Sequence, residues 1–403
     1  MGPPVQHCDV VVVGAGPVGV LTALGLARTG IGVTLIDAEP SIGQAPRAMV
    51  YHWSVLEGIE RLGLLEPAEQ AGFTKQDYAW HVYATGEKIP LSVSVLEGHV
   101  PHPYNLHLGQ NRLADIALEK LRTYDNASIR FGTTVTGLRQ DDESITLSLE
   151  TAAGPEELRA SYLIGADGAA SAVRKSLALE FEGMTWPEVF VATNVRYDFE
   201  KYGYARSTLQ IDPTYGAVIA KIDDTGLWRV TYAEHPDTPL EQMGDRIPHW
   251  YEKLIPGDDE YELVTHRPYR MHQRAASSMR AGRVLLAGDA AHATNPTGGL
   301  GLTSGLFDTF VLYDAVAAVV RGTAEDSVLD RYADERRRTF LEVASPRASA
   351  NKQFLYHTSD PVELEAELSK LRAMAADDDL ARTNFLFTKQ LETPPLVPPV
   401  PTV

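Results

Sequence analysis

The sequence has one cysteine, Cys8, in 403 residues. No intramolecular disulfide, redox cysteine pair or thiolate metal cluster can be built from it. Cys8 stands beside an apolar run and reads as a small core residue. Basic residues are also scarce: 36 Lys and Arg face 54 Asp and Glu, for a net charge of −18. Nucleic acid and anionic membrane surfaces both demand a basic face, so neither is expected as a partner. An uninterrupted apolar run long enough for a membrane helix is missing near the N-terminus. The uncharged stretch Val10 to Ala27 is broken by five Gly or Pro residues, and no span is expected there. No basic segment precedes it, so it does not read as a secretory signal. A cytoplasmic location is the expectation.

What is present is ordinary globular composition, 44% hydrophobic and 22% charged. The length exceeds the roughly 250–300 residues beyond which one core stops growing. Two packed domains, interleaved in sequence, are therefore expected. Asp9 to Val13 is a short β-branched run, the pattern of a buried parallel strand. Val18 to Thr29 reads as a helix and Gly32 to Asp37 as the next strand, which together make a βαβ unit. A helical pattern covers Val50 to Gly72, and another covers Leu113 to Leu121. Ser128 to Thr136, Ser144 to Leu149, Tyr162 to Gly165 and Arg283 to Ala287 read as strands. From Met184 to Arg267, alternating segments separated by Pro and Gly turns predict an antiparallel sheet. Gly301 to Arg321 predicts a long helix, the C-terminal third is helical and charged, and the Pro-rich last dozen residues are expected to be irregular or disordered.

Gly14-Ala15-Gly16-Pro17-Val18-Gly19 lies between the first strand and helix and fits G-x-G-x-x-G. The first glycine permits the tight turn, the second lets backbone approach a pyrophosphate, and the third packs helix on strand. The helix N-terminus offers unpaired N–H groups and a positive dipole end to the phosphates. Asp37 ends the second strand about twenty residues on, where a carboxylate accepts ribose hydroxyls. A dinucleotide follows from this pattern; FAD and NAD are not distinguished by it. The acidic Asp37 would repel a 2′-phosphate at this site.

Three further segments narrow the choice: Tyr162 to Arg174 (YLIGADGAASAVR), Arg283 to Ala293 (RVLLAGDAAHA) and Asn295 to Gly305 (NPTGGLGLTSG). They resemble the single-component aromatic hydroxylases of the flavoprotein monooxygenase class, the group that includes para-hydroxybenzoate hydroxylase. The resemblance implies that Asp167, with Gly168, Ser171 and Arg174, lies near the cofactor pyrophosphate and the path of the nicotinamide donor. It implies that Asp289 hydrogen-bonds the ribityl or ribose hydroxyls of FAD. It also implies that the loop with Pro296, Gly301 and Leu302 turns its backbone N–H groups toward the flavin ring. Arg47, in Pro46-Arg47-Ala48, and Gln110, at a helix start, match further cofactor-contacting positions. The family often has Gln and Asn in the last loop, where this chain has Leu300 and Thr303. The matches run from Asp9 to about Leu312, and the thioredoxin-like domain of longer phenol hydroxylases is not expected.

The fold class implied is α/β: a Rossmann-like FAD-binding domain interleaved with a mixed or antiparallel β-sheet substrate domain and a helical C-terminal region. The expected boundaries are residues 1–72, 105–183 and 268–321 for the FAD domain, and 73–104 and 184–267 for the substrate domain. Residues 322–390 would be C-terminal helices and 391–403 a tail. With one G-x-G-x-x-G and one cysteine, NADH or NADPH would act as a transient co-substrate without a Rossmann domain of its own. The family's chemistry is hydroxylation of a small aromatic by O₂ through a flavin C4a-hydroperoxide, with FAD held non-covalently. A phenol or hydroxy-N-heteroaromatic gains nucleophilicity by losing its hydroxyl proton, which calls for a general base. His52 and Tyr215 are the candidates; Tyr232 and His272 are weaker ones, and His292 reads as structural. His99, His102 and His107 lack the spacing of a metal site, and none is expected. Trp250 to Pro256 resembles part of the flavin halogenase motif but lacks its second tryptophan. A reductase of the same superfamily and a non-catalytic FAD-binding sensor remain alternatives, and a monomer or homodimer is expected.

Overall fold

The computed structural model describes residues 6–43 and 48–402. Arg47 and the neighbouring Pro46 therefore lie outside the described residues. Valines at 10, 11 and 12 are completely buried, as a strand covered on both faces requires. That strand, Gln6–Val13, sits inside a parallel array with Val33–Ile36 and then Ala127–Arg130 on one side. Gly154–Gly165 and then Val284–Leu286 lie on the other side. A β-meander, Thr134–Gln140 and Ile145–Thr151, is added antiparallel to Gly154–Gly165. The expected strand from Ser128 to Thr136 is thus two strands, parted by a bend in which Gly132 has φ +60°. Cys8 is half-buried on the first strand, and burial raises its thiol, the opposite of activation.

The helix Pro17–Arg28 is buried from Gly19 to Ala27 because its small side chains allow close approach from both sides. Its outer cover is the helix Leu300–Val320, long and apolar enough to cross a membrane, with 89% of its most apolar window buried inside the fold. The pattern over Val50 to Gly72 resolves into a short strand, Val50–Tyr51, and two helices, Trp53–Arg61 and Leu65–Ala71. The strand belongs to a three-stranded sheet in the order Val50–Tyr51, Asn105–His107, Phe73–Lys75.

The second large sheet has eight strands. From one edge they are His292–Ala293, Glu262–Ala276, Phe181–Arg196, Leu227–Glu234, Ala217–Lys221, Ser207–Ile211, Asp77–Val82 and Glu87–Ser92. All pair antiparallel except Ser207–Ile211 with Asp77–Val82, which is parallel. The helix Met243–Leu254 interrupts the region expected to be all sheet. It buries Met243, Ile247, Tyr251 and Leu254, a four-, four- and three-residue spacing that was present in the sequence, against one sheet face. The other face carries Trp80, Phe190, Leu209 and Met271 and is covered by Leu355 and Tyr356 of the helix Ser345–Tyr356 and by the helix Pro361–Ala376. The Pro-rich end is irregular, yet it is pinned: buried Arg336 donates from Nη1 to Leu391 O at 2.6 Å and Thr393 Oγ1 at 3.1 Å.

Candidate functional site

The glycine fingerprint ends the first strand. Gly14 has φ +108°, and a Cβ there would stand 2.3 Å from Ala166 O; one at Gly19 would stand 1.8 Å from Gly14 O. Both positions exclude a side chain. A Cβ on Gly16, by contrast, meets nothing within 4 Å, so open space lies where the helix Pro17–Arg28 begins. Gly16 caps that helix without a side-chain bond, leaving the first-turn N–H groups for an anion. Asp37 accepts from Ala15 N at 2.5 Å and from Glu39 N at 2.8 Å. Each oxygen keeps a second lone pair, and the carboxylate is locked to the fingerprint turn.

Asp167 follows directly on Ala166 and so lies beside that turn. Its oxygens accept from Ser171 Oγ at 2.5 Å and Ala172 N at 2.7 Å, which caps the short helix Ala172–Ser176. Arg174 then donates to Ala290 O and to Ala169 O, both at 2.7 Å. One buried guanidinium thereby fastens the Asp167 segment to the Asp289 segment. Asp289 itself is exposed between buried Gly288 and Ala290. Behind it lies Asp308, which accepts from Gly288 N at 2.9 Å, His292 Nε2 at 2.8 Å and Arg336 Nε at 2.7 Å. Burial alone would raise the Asp308 carboxyl, but His292 and Arg336 outweigh it and bring it down to about 2.

The loop from Asn295 to Gly299 leads into the helix Leu300–Val320. Gly298 and Gly299 have φ +99° and +69°, values that L side chains rarely adopt. A Cβ on Gly298 would be 2.6 Å from Asn351 Nδ2, and one on Gly299 would be 3.1 Å from His52 Nε2. The loop is thus clamped between Asn351 and His52. Gln273 anchors its start, accepting from Thr294 Oγ1 at 3.0 Å and Asn295 Nδ2 at 3.1 Å while donating to Ser345 Oγ at 2.7 Å. Pro296 is exposed, and Gly301 and Leu302 are half-buried in the first helical turn, where N–H groups lack helical partners.

His52 lies 2.8 Å from Gly298 O through Nε2. A carbonyl only accepts, so Nε2 carries the proton and Nδ1 is the acceptor in the neutral ring. Burial lowers the His52 imidazole below its ordinary value, the Gly298 carbonyl opposes this, and Lys75 adds to it. Tyr215, the other candidate base, is not brought to this loop. Its ring packs on Tyr83 at 5.2 Å and Trp250 at 6.0 Å, on the sheet face covered by Met243–Leu254. Asn351 belongs to the helix that covers the opposite face. Tyr232 stacks on the same Trp250 at 4.6 Å. His272 contacts Thr185 Oγ1 at 2.9 Å, and its imidazole is lowered by burial and Arg274 while Asp289 raises it. Gln110 binds Ala48 twice, at 3.2 and 3.0 Å.

Lys75, His107, Asn194 and Arg229 were not singled out as functional from sequence. The last two are paired, Arg229 Nε to Asn194 Oδ1 at 2.8 Å, on the sheet face covered by Ser345–Tyr356, and burial lowers the guanidinium to about 10. The loose histidine group separates: His102 bonds Glu60 at 3.0 Å, whereas His107 Nδ1 donates to Lys221 O at 2.7 Å. Among the described residues no group of three or more His, Cys, Asp or Glu could hold a metal.

An anion-ready helix start, a carboxylate beside it, a second exposed carboxylate at Asp289 and a glycine loop clamped near His52 fit the successive parts of a flavin dinucleotide. Comparison with known proteins agrees. Residues 7–345 match the family described as FAD binding domain. The chain is 44% identical over 385 residues to 6-hydroxy-3-succinoylpyridine 3-monooxygenase of Pseudomonas putida (strain DSM 28022 / S16), covering 95% of this chain and 98% of that one. It is 40% identical over 386 residues to para-nitrophenol 4-monooxygenase of Pseudomonas sp. (strain WBC-3), covering 95% of each. The crystal structure of p-nitrophenol 4-monooxygenase from Pseudomonas putida DLL-E4 superposes with a TM-score of 0.93 at 39% identity, over 96% of this chain and 98% of that one.

Proposed function

The chain belongs to the FAD-dependent aromatic monooxygenases, and from that membership we propose that it takes electrons from NADH or NADPH and hydroxylates a small phenolic or hydroxy-N-heteroaromatic ring. The observation that carries the ring-hydroxyl reading is His52, held on Gly298 O at 2.8 Å. FAD, when bound, supplies the electron transfer and oxygen activation. The protein's own residues bind it, orient the ring and handle the hydroxyl proton. The fingerprint helix and Asp37 suit the adenosine and pyrophosphate end, with Asp167 beside them. Asp289 suits the sugar hydroxyls, and Pro296, Gly301 and Leu302 suit the ring edge.

His52 acts as the proton acceptor. Burial and the neighbouring Lys75 keep its imidazole neutral near pH 7, and neutral is the form a general base needs. Two relatives named for a hydroxypyridine and a nitrophenol support a substrate with an ionisable ring hydroxyl. Exclusion of water around the ring falls to the sheet face of Asn194 and Arg229 and to the helix Ser345–Tyr356, which bridges that face and the Gly298 loop.

The test is NADH and NADPH oxidation by FAD-reconstituted protein, with O₂ uptake and peroxide measured against phenols and hydroxypyridines. One ring compound should accelerate oxidation and be recovered hydroxylated. Reduction of the flavin by neither nicotinamide would defeat the reading. His52→Ala should retain FAD and lose about 100-fold in kcat, the lower range for a general base; full activity would remove His52 from the mechanism.

A further inference from the structure

The helix Ser345–Tyr356 meets the glycine loop at two points. At its start Ser345 accepts from Gln273, which also holds Thr294 and Asn295. Near its end Asn351 stands against Gly298. The next residue, Lys352, is turned about 100° from Asn351 by the helix and points to the sheet. Lys352 is 0% exposed, and an ammonium is tolerated in the interior only where acceptors surround it.

The sheet supplies them by breaking its register. On Phe181–Arg196, Thr185 faces His272 and Val189 faces Arg270, so Trp186, Pro187 and Glu188 stand against the single residue Met271. Such a bulge re-aims side chains, and Pro187 has no N–H to lose from the ladder. Lys352 Nζ donates to Glu188 Oε2 at 3.1 Å and to His357 Nε2 at 2.7 Å. It also lies 4.0 Å from the centre of the Trp186 ring, within cation–π reach. A leucine at 352 would pack the same helix without desolvating a charge. What the ammonium adds is direction: it fixes this turn of helix, and Asn351 with it.

We propose that Lys352 is a positioning residue for the glycine loop: gripped by Glu188, His357 and Trp186, it braces Asn351 against Gly298, and a proton on His357 undoes the grip. The proposal rests on the reading of that loop as the seat of the flavin ring.

The grip requires one tautomer of His357. An ammonium has no lone pair, so Nε2 must accept and the ring proton sits on Nδ1. The same Nε2 is 3.0 Å from Glu188 Oε1, where the neutral ring has nothing to donate. A second proton goes to Nε2, bonds Glu188 and sets two cations 2.7 Å apart. Lys352 must then withdraw, and Asn351 moves with it. Burial and Lys352 hold the His357 imidazole below its ordinary value while Glu188 raises it, so the grip is closed at neutral pH and opens in acid. The other neighbours do not compete. Burial raises the hydroxyls of Tyr356 and Tyr269, which stay neutral. On the strand opposite the bulge, His272 is engaged by Thr185 and Arg270 is exposed. Asp360, beyond His357, caps the helix Pro361–Ala376.

Release of flavin from diluted FAD-loaded protein, followed by fluorescence from about pH 8 to about pH 5, where histidines titrate, tests the grip. Release from the parent should quicken about tenfold across one inflexion on the acid side. His357→Gln keeps an acceptor for Lys352 and takes up no proton. It should match the parent within about twofold at the alkaline end and lack the inflexion. Lys352→Met should release flavin about tenfold faster at the alkaline end, without an inflexion, and Lys352→Arg should recover most of that loss. An inflexion that survives in His357→Gln, or a Lys352→Met protein that holds FAD as the parent does, would overturn the proposal. A readout free of flavin is the titration of His357 by NMR in histidine-labelled protein. Lys352→Met removes the cation and leaves Glu188, so the midpoint should rise by about half a unit or more; an unchanged midpoint means there is no grip. Should the parent retain no FAD at any pH, the cofactor reading fails on its own, and the titration still decides whether Lys352 holds His357.

Discussion

Lys75 is an expensive residue to bury. Its amine has an ordinary value of 10.5 and stands near 7 in the fold. Between those two pH values the unfolded chain binds a proton that the folded chain lacks, so stability rises with pH across that window. Below pH 7 the folded state carries the full cost of an ammonium in the interior. Lys75→Met should therefore raise the thermal midpoint, most below pH 7, with the gain shrinking as pH approaches 10.5. A series of melts at constant ionic strength measures this; a gain that is flat in pH would mean that Lys75 is not the titrating group. Asp289 makes the complementary case. It is exposed where its neighbours Gly288 and Ala290 are buried, and Asp289→Ala should yield mostly apoprotein with a near-parental melt. Unchanged flavin content would remove Asp289 from the cofactor site.

Among the elements, the turns were legible and the pairings were not. Gly14, Gly16 and Gly19 announce a strand–turn–helix because backbone contacts to a phosphate are made within a few residues and need glycine locally. The loop at Gly298 and Gly299 was readable for the same reason. The helical pattern expected from Val50 to Gly72 was right over Trp53–Arg61 and Leu65–Ala71 but overran at its start, because Val50 and Tyr51 pair with Leu106 and His107, a partnership more than fifty residues away that no local period reports. The same long-range register places Lys75 and His107 on one face, which is why the sequence showed His107 only as part of a loose histidine group. Tyr215 was chosen for lying on the sheet region, but it stands in the turn between Ser207–Ile211 and Ala217–Lys221, and only the observed packing on Trp250 shows which side its ring takes. A direct test at this scale is Gly299→Ala. Its φ is +69°, and the new Cβ would stand 3.1 Å from His52 Nε2. The variant should loosen the His52 contact and reduce both flavin occupancy and kcat, whereas a parental flavin spectrum and rate would show that the loop tolerates the change.

At the scale of the whole molecule, the C-terminal third closes the site from behind. The motifs legible in the sequence end near Leu312, yet Arg336 is 0% exposed and reaches in one side chain from Asp308 to Ser304 O, Leu391 O and Thr393 Oγ1. Asp308 in turn holds Gly288 N and His292, next to Asp289. The irregular tail is therefore tied to the cofactor motif through one buried ion pair, which only the folded chain assembles. Arg336→Met would leave the Asp308 carboxylate buried with His292 as its remaining side-chain partner. Removing one side of such a pair costs about 3–5 kcal/mol. In the parent, the Asp308 contribution is held down to about pH 2, because the depressed carboxyl stays ionised until then. In Arg336→Met it should protonate at higher pH, so stability and bound FAD should both fall off earlier on acidification. Parallel acid titrations of the two proteins, followed by flavin fluorescence and circular dichroism, check this. Release of FAD at the same pH in both would mean that the tail and the Asp289 motif are mechanically independent.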